Sequence, residues 1–260
     1  MRIALGLEYN GSQFCGWQMQ SHGTRTVQGE LEQALSIVAD EPIKLVCAGR
    51  TDTGVHATGQ VVHFDTHSER PEKAWVLGVN THLPDDVASL WARPVGEDFS
   101  ARFSATARCY RYVILNRKAR PALLHGKVCW RHENLDVAAM HTAAQVLLGE
   151  QDFTAFRAAA CQAEHARRCV HFIKVKHQGE FIYIDIEANA FLHHMVRNIV
   201  GSLMLVGNGE QPVAWIAELL HAQDRTLAGP TATADGLYLV HVTYPETAGL
   251  PGVIRAPVFV

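Results

Sequence analysis

The residues best able to do chemistry lie in one short stretch, Ala48–His56, which reads AGRTDTGVH. An apolar run, Ile43–Ala48, leads into a loop that carries Arg50 and Asp52 between Gly49 and Gly54. Glycines allow tight bends and let a ligand approach the backbone closely. An Asp at the mouth of a core strand, next to a cation, is held ionised. An ionised carboxylate in a cleft can act as nucleophile, base or electrostatic stabiliser. The plainer alternative is an Asp that caps a turn and is tied to Arg50.

A second concentration is electrostatic. From Phe99 to His132 the chain has no Asp or Glu, and these 34 residues carry eight cations: Arg102, Arg108, Arg111, Arg117, Lys118, Arg120, Lys127 and Arg131. The whole chain has 23 cations and 26 acids and a net charge of −3, so this stretch is a local excess in an acidic background. Such an excess suits a polyanion. Tyr110, Tyr112 and Trp130 lie among the cations, and arginine favours bidentate phosphate contacts and stacking on bases. A solvated strand face is the alternative.

The elements that must position these groups follow from periodicity. Strands are expected at Ile3–Tyr9, Ile43–Ala48, Val61–Phe64, Val87–Ala92, Cys109–Leu115 and Leu237–Thr243, with a hairpin of Val170–Lys176 and Phe181–Ala188. Gly-rich loops are expected over Asn10–Gln18 and Gly49–Gly59. Helices are expected at Val27–Ala39, Glu72–Val79, Asp136–Leu148, Ala190–Val206 and Trp215–Ala222. This order predicts an α+β fold. It has two pseudo-duplicated halves on mixed, mainly antiparallel sheets, with a cleft between them as the usual place for a site. The division expected is 1–100, 101–245, and a tail 246–260 without a clear element.

Composition narrows the class. With 260 residues, 48% apolar and 19% charged, the chain has the make-up of a globular protein, not a disordered or collagenous one. No run of 18 apolar residues suggests a membrane span. The start, MRIALGLEYN, reads as a strand and not as a leader, so a cytoplasmic protein is expected. Six cysteines without C-x-x-C spacing are expected to be reduced thiols. Fifteen scattered histidines without H-E-x-x-H give no metal site; His193 and His194 read as core or RNA-facing groups.

Several segments together resemble one family. GRTDTGVHA is similar to the signature of the tRNA pseudouridine synthase A family, with Thr53 where a small residue is usual. EYNGSQFCGWQ resembles its Y-D-G loop, with Asn10 in the Asp slot. FSATARCYRYVI resembles its A-x-x-(Lys/Arg)-x-Y-x-Y strand, NAFLHHMVRNIVGSL its M-V-R-N helix, and GLYLVHVTYP its last strand. These likenesses run in order from about residue 3 to residue 245. Asp224-Arg225 is similar to a family D-R pair. The Gln162–Arg168 segment, QAEHARR, and the C-terminal tail depart from the pattern.

The resemblance implies a cofactor-free, metal-free isomerase that turns uridine into pseudouridine at positions 38 to 40 of the tRNA anticodon arm. It implies a homodimer with tRNA as partner. By that likeness Asp52 is the catalytic carboxylate and Arg50 takes the place of the extruded base. Tyr110 stacks on the uracil and is a candidate proton acceptor, although a phenol with pKa near 10 is a poor resting base. Arg197 pairs with Asp52. The substrate-binding set is Arg50, Tyr110, His56, Arg108 and Arg111. Phe14 and Trp17 either stack on RNA or pin their loop, and Tyr112 either supports Tyr110 or is sheet core. Attack of Asp52 on C1′, addition to C6 and elimination through a glycal all remain open routes.

Two rival readings have distinct marks. A glycosidase-like hydrolase needs two acids about 5–10 Å apart, and Asp65 and Glu69 lie in a polar run unlike the setting of Asp52. An RNA-binding or chaperone module fits the basic stretch, but it leaves Arg-Thr-Asp on a Gly-flanked loop unexplained.

Overall fold

The computed structural model describes residues 1–20 and 23–259. In chain order the strands are β1 (Arg2–Tyr9), β2 (Val46–Cys47), β3 (His56–Asp65), β4 (Val87–Val95), β5 (Ala107–Asn116), β6 (Cys129–Arg131), β7 (Gly149–Asp152), β8 (Arg167–Gln178), β9 (Phe181–Ala188) and β10 (Leu237–Thr243). The α-helices are α1 (Val27–Ala39), α2 (Val137–Ala144), α3 (Met195–Gly207) and α4 (Trp215–Ala222). The chain forms two compact units: Met1–Arg108 with Tyr238–Pro257, and Cys109–Leu237 with the residues from Val258 onward.

In the first unit the strand order is β4-β1-β3-β10, with β2 against β3. β1 runs antiparallel to both β3 and β4, and β10 runs parallel to β3 at Tyr238↔His56. The second unit has the order β5-β9-β8-β7, with β6 parallel to β5. β8 and β9 form the expected hairpin, and α2 packs on β8 and α3. The sheets are therefore mixed and mainly antiparallel, and the α+β class holds.

Local chemistry explains most boundaries. α1 begins where the Thr26 hydroxyl accepts from the Gly29 amide at 3.3 Å, as an N-cap should. It ends at Asp40, which turns left-handed at φ 58°. Asp136 caps α2 in the same way, accepting from Ala139 at 3.0 Å. That helix is shorter than expected: it passes into a 3-10 turn at Gln145–Leu147 and then into β7, which opens at Gly149 with φ +79°.

Other boundaries differ from the sequence reading. Of Ile43–Ala48 only Val46–Cys47 joins the sheet. The Ser36 hydroxyl and the Glu32 carboxylate take the amides of Ile43 and Leu45 at 2.9 and 3.1 Å, so side chains replace the ladder there. The expected loop Gly49–Gly59 is already strand from His56. The helix at 72–80 contains a π segment, Ala74–Gly78. α3 starts at Met195, after His194 at φ +60°, and not at Ala190. β6 and β7 are too short for periodicity to reveal. The tail holds a 3-10 turn at Glu246–Ala248, and Phe259 both donates to and accepts from the Tyr183 hydroxyl, at 2.9 and 2.7 Å. Val260, the end of that expected tail, lies outside the described residues.

His63 on β3 is buried and accepts the Ala101 amide at 3.0 Å. Burial first, and then Arg2, lowers its pKa below the usual 6.5. A base depressed in the folded state stabilises the fold above its unfolded pKa, and that contribution is lost as pH falls from 6.5 through the folded value. Urea midpoints measured across mildly acidic pH should therefore fall in the wild type, and His63→Gln should flatten that part of the curve. An unchanged slope would remove His63 from the account.

Candidate active site

The turn that carries Asp52 is held by its neighbours more than by itself. Within the turn the Val55 amide donates to the Asp52 carbonyl at 3.1 Å. The Asn10–Gln18 loop grips it from one side. The Trp17 amide donates to the Thr51 carbonyl at 3.0 Å and the Gly54 amide to the Phe14 carbonyl at 3.4 Å. The Gly11 amide donates to His56 Nδ1 at 3.0 Å. From the strands, the Tyr9 and Thr51 hydroxyls share a 2.8 Å bond, and Gln60 donates to the Gly49 carbonyl at 2.7 Å.

Two glycines make this grip sterically possible. A Cβ on Gly11 would lie 2.0 Å from the Val55 carbonyl oxygen. At Gly16, with φ +85°, a Cβ would lie 2.9 Å from the Thr51 carbonyl oxygen and 3.2 Å from the Asp52 carbonyl carbon. The loop is anchored in turn by Phe14 and Trp17, each only 2% exposed. These two rings pin the loop; they are not open to stack on RNA. Arg25 lies over Phe14 at 4.2 Å and grips Asp86 with two bonds of 2.8 Å.

On this frame Asp52 is half-buried and Arg50 exposed. His56 is buried, stacked 4.5 Å from the Tyr238 ring. Since Nδ1 accepts from Gly11, that nitrogen carries no proton in this bond. Arg108 extends its guanidinium over three carbonyls, those of Ala105, Ala48 and Arg102, at 3.1, 3.1 and 2.7 Å. Burial raises the Cys47 thiol to about 11, against the pull of Arg50 and Arg102. Thus Arg50, Asp52, His56 and Arg108 come together in the first unit.

Tyr110, Arg111 and Arg197 belong to the second unit. Tyr110 is mostly buried and meets the edge of Phe191 at 5.0 Å. Arg111 is buried and forked onto Asp185 by bonds of 2.6 and 2.8 Å, with the Tyr183 ring 4.9 Å away. Tyr112 is fully buried, with its hydroxyl on the Thr233 carbonyl at 2.8 Å; it is sheet core. Burial raises its phenol pKa. Arg197, in the first turn of α3, is half-buried and donates to the Ala232 carbonyl at 2.8 Å. His193 is exposed and its ring lies 4.0 Å from that of His194.

The basic stretch is thereby divided: Arg108 and Arg111 serve the interior, and Arg117 pairs with Glu180 at 2.9 Å. Arg102 and Lys118 are exposed.

Two supporting residues, Asn198 and Thr231, escaped the sequence reading. Asn198, fully buried, donates to the Phe156 carbonyl at 2.8 Å and accepts from Arg225 and Thr231 at 3.1 and 2.6 Å. This cluster fixes the segment whose Ala232 carbonyl receives Arg197. A polar Asn inside the apolar run MVRNIVG was the available signal. Asp224 caps its own turn on Thr226 at 2.8 Å, so the Asp224-Arg225 pair is structural.

A family model described as tRNA pseudouridine synthase matches residues 7–104 and 143–245. The chain belongs to this family. It is 61% identical over 259 residues to the tRNA pseudouridine synthase A of Shewanella amazonensis, covering 100% of this chain and 99% of that one. It is 59% identical over 252 residues to that of Hydrogenovibrio crunogenus, covering 97% and 96%. It is 59% identical over 259 residues to that of Aeromonas salmonicida, covering 100% and 96%. Pseudouridine synthases are isomerases. The matched ranges hold the Asp52 turn, its gripping loop, and Arg197 with Asn198 and Arg225; Arg108, Tyr110 and Arg111 fall between them. Among the described residues no helix is long and apolar enough to cross a membrane.

Two expectations follow. Gly16→Ala forces either the positive φ onto an L residue or the Thr51–Asp52 backbone to move. It should lower stability by about 1–3 kcal/mol in urea unfolding. It should also lower turnover by roughly a hundredfold, as small misplacements of reacting groups do; unchanged turnover would show that the grip does not set the turn. Arg111→Met leaves the half-buried Asp185 carboxylate with Lys176, at 3.6 Å, as its cation. It should lose about 3 kcal/mol, most of it recovered by adding Asp185→Leu. Loss of RNA binding without loss of stability would instead put Arg111 on the substrate.

Proposed function

We propose that this chain isomerises uridine to pseudouridine at positions 38 to 40 of the tRNA anticodon arm, with Asp52 as the nucleophile. The observation that carries this reading is the Asp52 turn, gripped by the glycine loop through the Trp17 amide and the Phe14 carbonyl. A carboxylate fixed in this way, beside an exposed Arg50, suits a reaction that needs a negative group against an anomeric carbon. A turn cap alone needs no such grip.

In the reaction the bond from C1′ to N1 breaks, the uracil turns within the site, and C5 bonds to C1′. C5 gives up its proton and N1 gains one, so no atom is lost and no electron acceptor is required. The protein must carry the charge, extrude the target base, and exclude water from the sugar intermediate. Arg50 is proposed to enter the space of the extruded base. Tyr110 is proposed to stack on the uracil and Arg197 to balance the Asp52 carboxylate. His56 shapes the turn behind the substrate. Arg108 contributes through the Ala48 and Arg102 carbonyls. We further propose a homodimer acting on tRNA in the cytoplasm.

Asp52→Asn preserves the volume of the side chain and removes its charge. Nucleoside analysis of treated tRNA should find no pseudouridine at these positions with this variant, while filter binding shows affinity within a few-fold of wild type. Pseudouridine formed by Asp52→Asn at near wild-type rate would overturn the assignment, and so would wild-type modification confined to another arm of the tRNA.

A further inference from the structure

The loop at residues 100–104 is tightly built, yet it presents its largest apolar side chain to solvent. Phe103 is 78% exposed. Around it the backbone is fixed. Ala101 is buried, with its amide on His63 at 3.0 Å and its carbonyl on the Tyr244 hydroxyl at 2.7 Å. Ser100 and Ser104 close the loop on each other: the Ser104 amide donates to the Ser100 carbonyl at 2.9 Å, and the Ser100 amide donates to the Ser104 hydroxyl at 2.9 Å. The Phe103 amide donates to the Ser100 hydroxyl at 3.3 Å. Arg102 is exposed and its guanidinium lies 5.0 Å from the Phe103 ring centroid.

Arg108 connects this loop to the catalytic turn. The same nitrogen donates to the Arg102 carbonyl and to the carbonyl of Ala48, two residues before Arg50. The backbone that carries the ring is therefore tied to the chain that leads into the Arg50–Asp52 turn. Single exposed apolar side chains are ordinary on protein surfaces. One set on a hydrogen-bonded backbone, with a cation beside it and a tie to the Arg50–Asp52 turn, has the make-up of a stacking platform for a nucleobase.

We propose that Phe103 stacks on an unpaired base of the RNA substrate while Arg102 meets the adjacent phosphate. This rests on the reading of the protein as a tRNA pseudouridine synthase and adds a contact for a second base besides the target. The exposed Arg102 guanidinium beside the ring favours RNA over an apolar protein partner. Ring and guanidinium together match the two parts of a nucleotide, the flat base and the charged linkage.

The test compares Phe103→Ala, Phe103→Trp and, as a control, Leu77→Ala. Leu77 is 66% exposed on the 72–80 helix and is part of no proposed contact. Binding of a tRNA transcript is read by filter retention, turnover by pseudouridine content, and assembly by sedimentation velocity. Phe103→Ala should weaken Kd and raise KM roughly tenfold, the scale of one base on one ring, with the loss in KM and not in kcat. Phe103→Trp should restore affinity, and Leu77→Ala should bind as wild type. Equal affinity of Phe103→Ala and wild type would overturn the proposal. So would a Phe103→Ala chain that loses self-association in step with RNA binding, because the ring would then belong to a contact between copies. Failure of the parent reading would show separately, as wild type that binds tRNA and makes no pseudouridine.

Discussion

The site depends on the contact between two loops, each of which supplies the backbone partners the other lacks. The turn bearing Asp52 closes on itself at Val55, and its Thr51 carbonyl and Gly54 amide are satisfied by Trp17 and Phe14. Unpaired, those groups would let the turn relax toward water. The contact is close because Gly11 and Gly16 have no side chain where the turn passes. The buried rings of Phe14 and Trp17 and the Arg25–Asp86 pair keep the loop in place. A carboxylate asked to act at one atom of a large substrate gains from such a frame, since catalytic geometry tolerates little displacement.

The second unit repeats that logic with other groups. Arg197 stands in the first turn of α3, and Asn198 beside it is tied to Phe156, Arg225 and Thr231. Polar side chains inside apolar packing are stabilising only when all partners are present, and here the ties reach three separate segments. Arg111 and Asp185 form another such pair between β5 and β9. Residues that look like RNA-binding cations in the sequence thus include some that hold the scaffold together.

The legible parts of the chain were those with a local cause. α1, α4, β9 and β10 fall where periodicity puts them, because capping and alternation act within a few residues. The Asp52 turn was legible from its glycines and its charge. What escaped has a non-local cause. Ile43–Leu45 leave the sheet because Ser36 and Glu32, on a preceding helix, take their amides. Residues Tyr238–Pro257 return to the first unit, which position along the chain does not announce. The roles of Arg108 and Arg111 depend on carbonyls and a carboxylate distant in sequence. A count of cations reports charge and not where each cation is used.

The central claim is that a rigidly presented Asp52 drives isomerisation at C5. The most direct measurement is tritium release from tRNA labelled at uridine C5, followed with wild type and Asp52→Asn under single-turnover conditions. The account predicts one tritium released per pseudouridine formed by wild type, and none from Asp52→Asn with the RNA still bound. Release by both proteins at similar rates would contradict it and return Asp52 to the role of a turn residue.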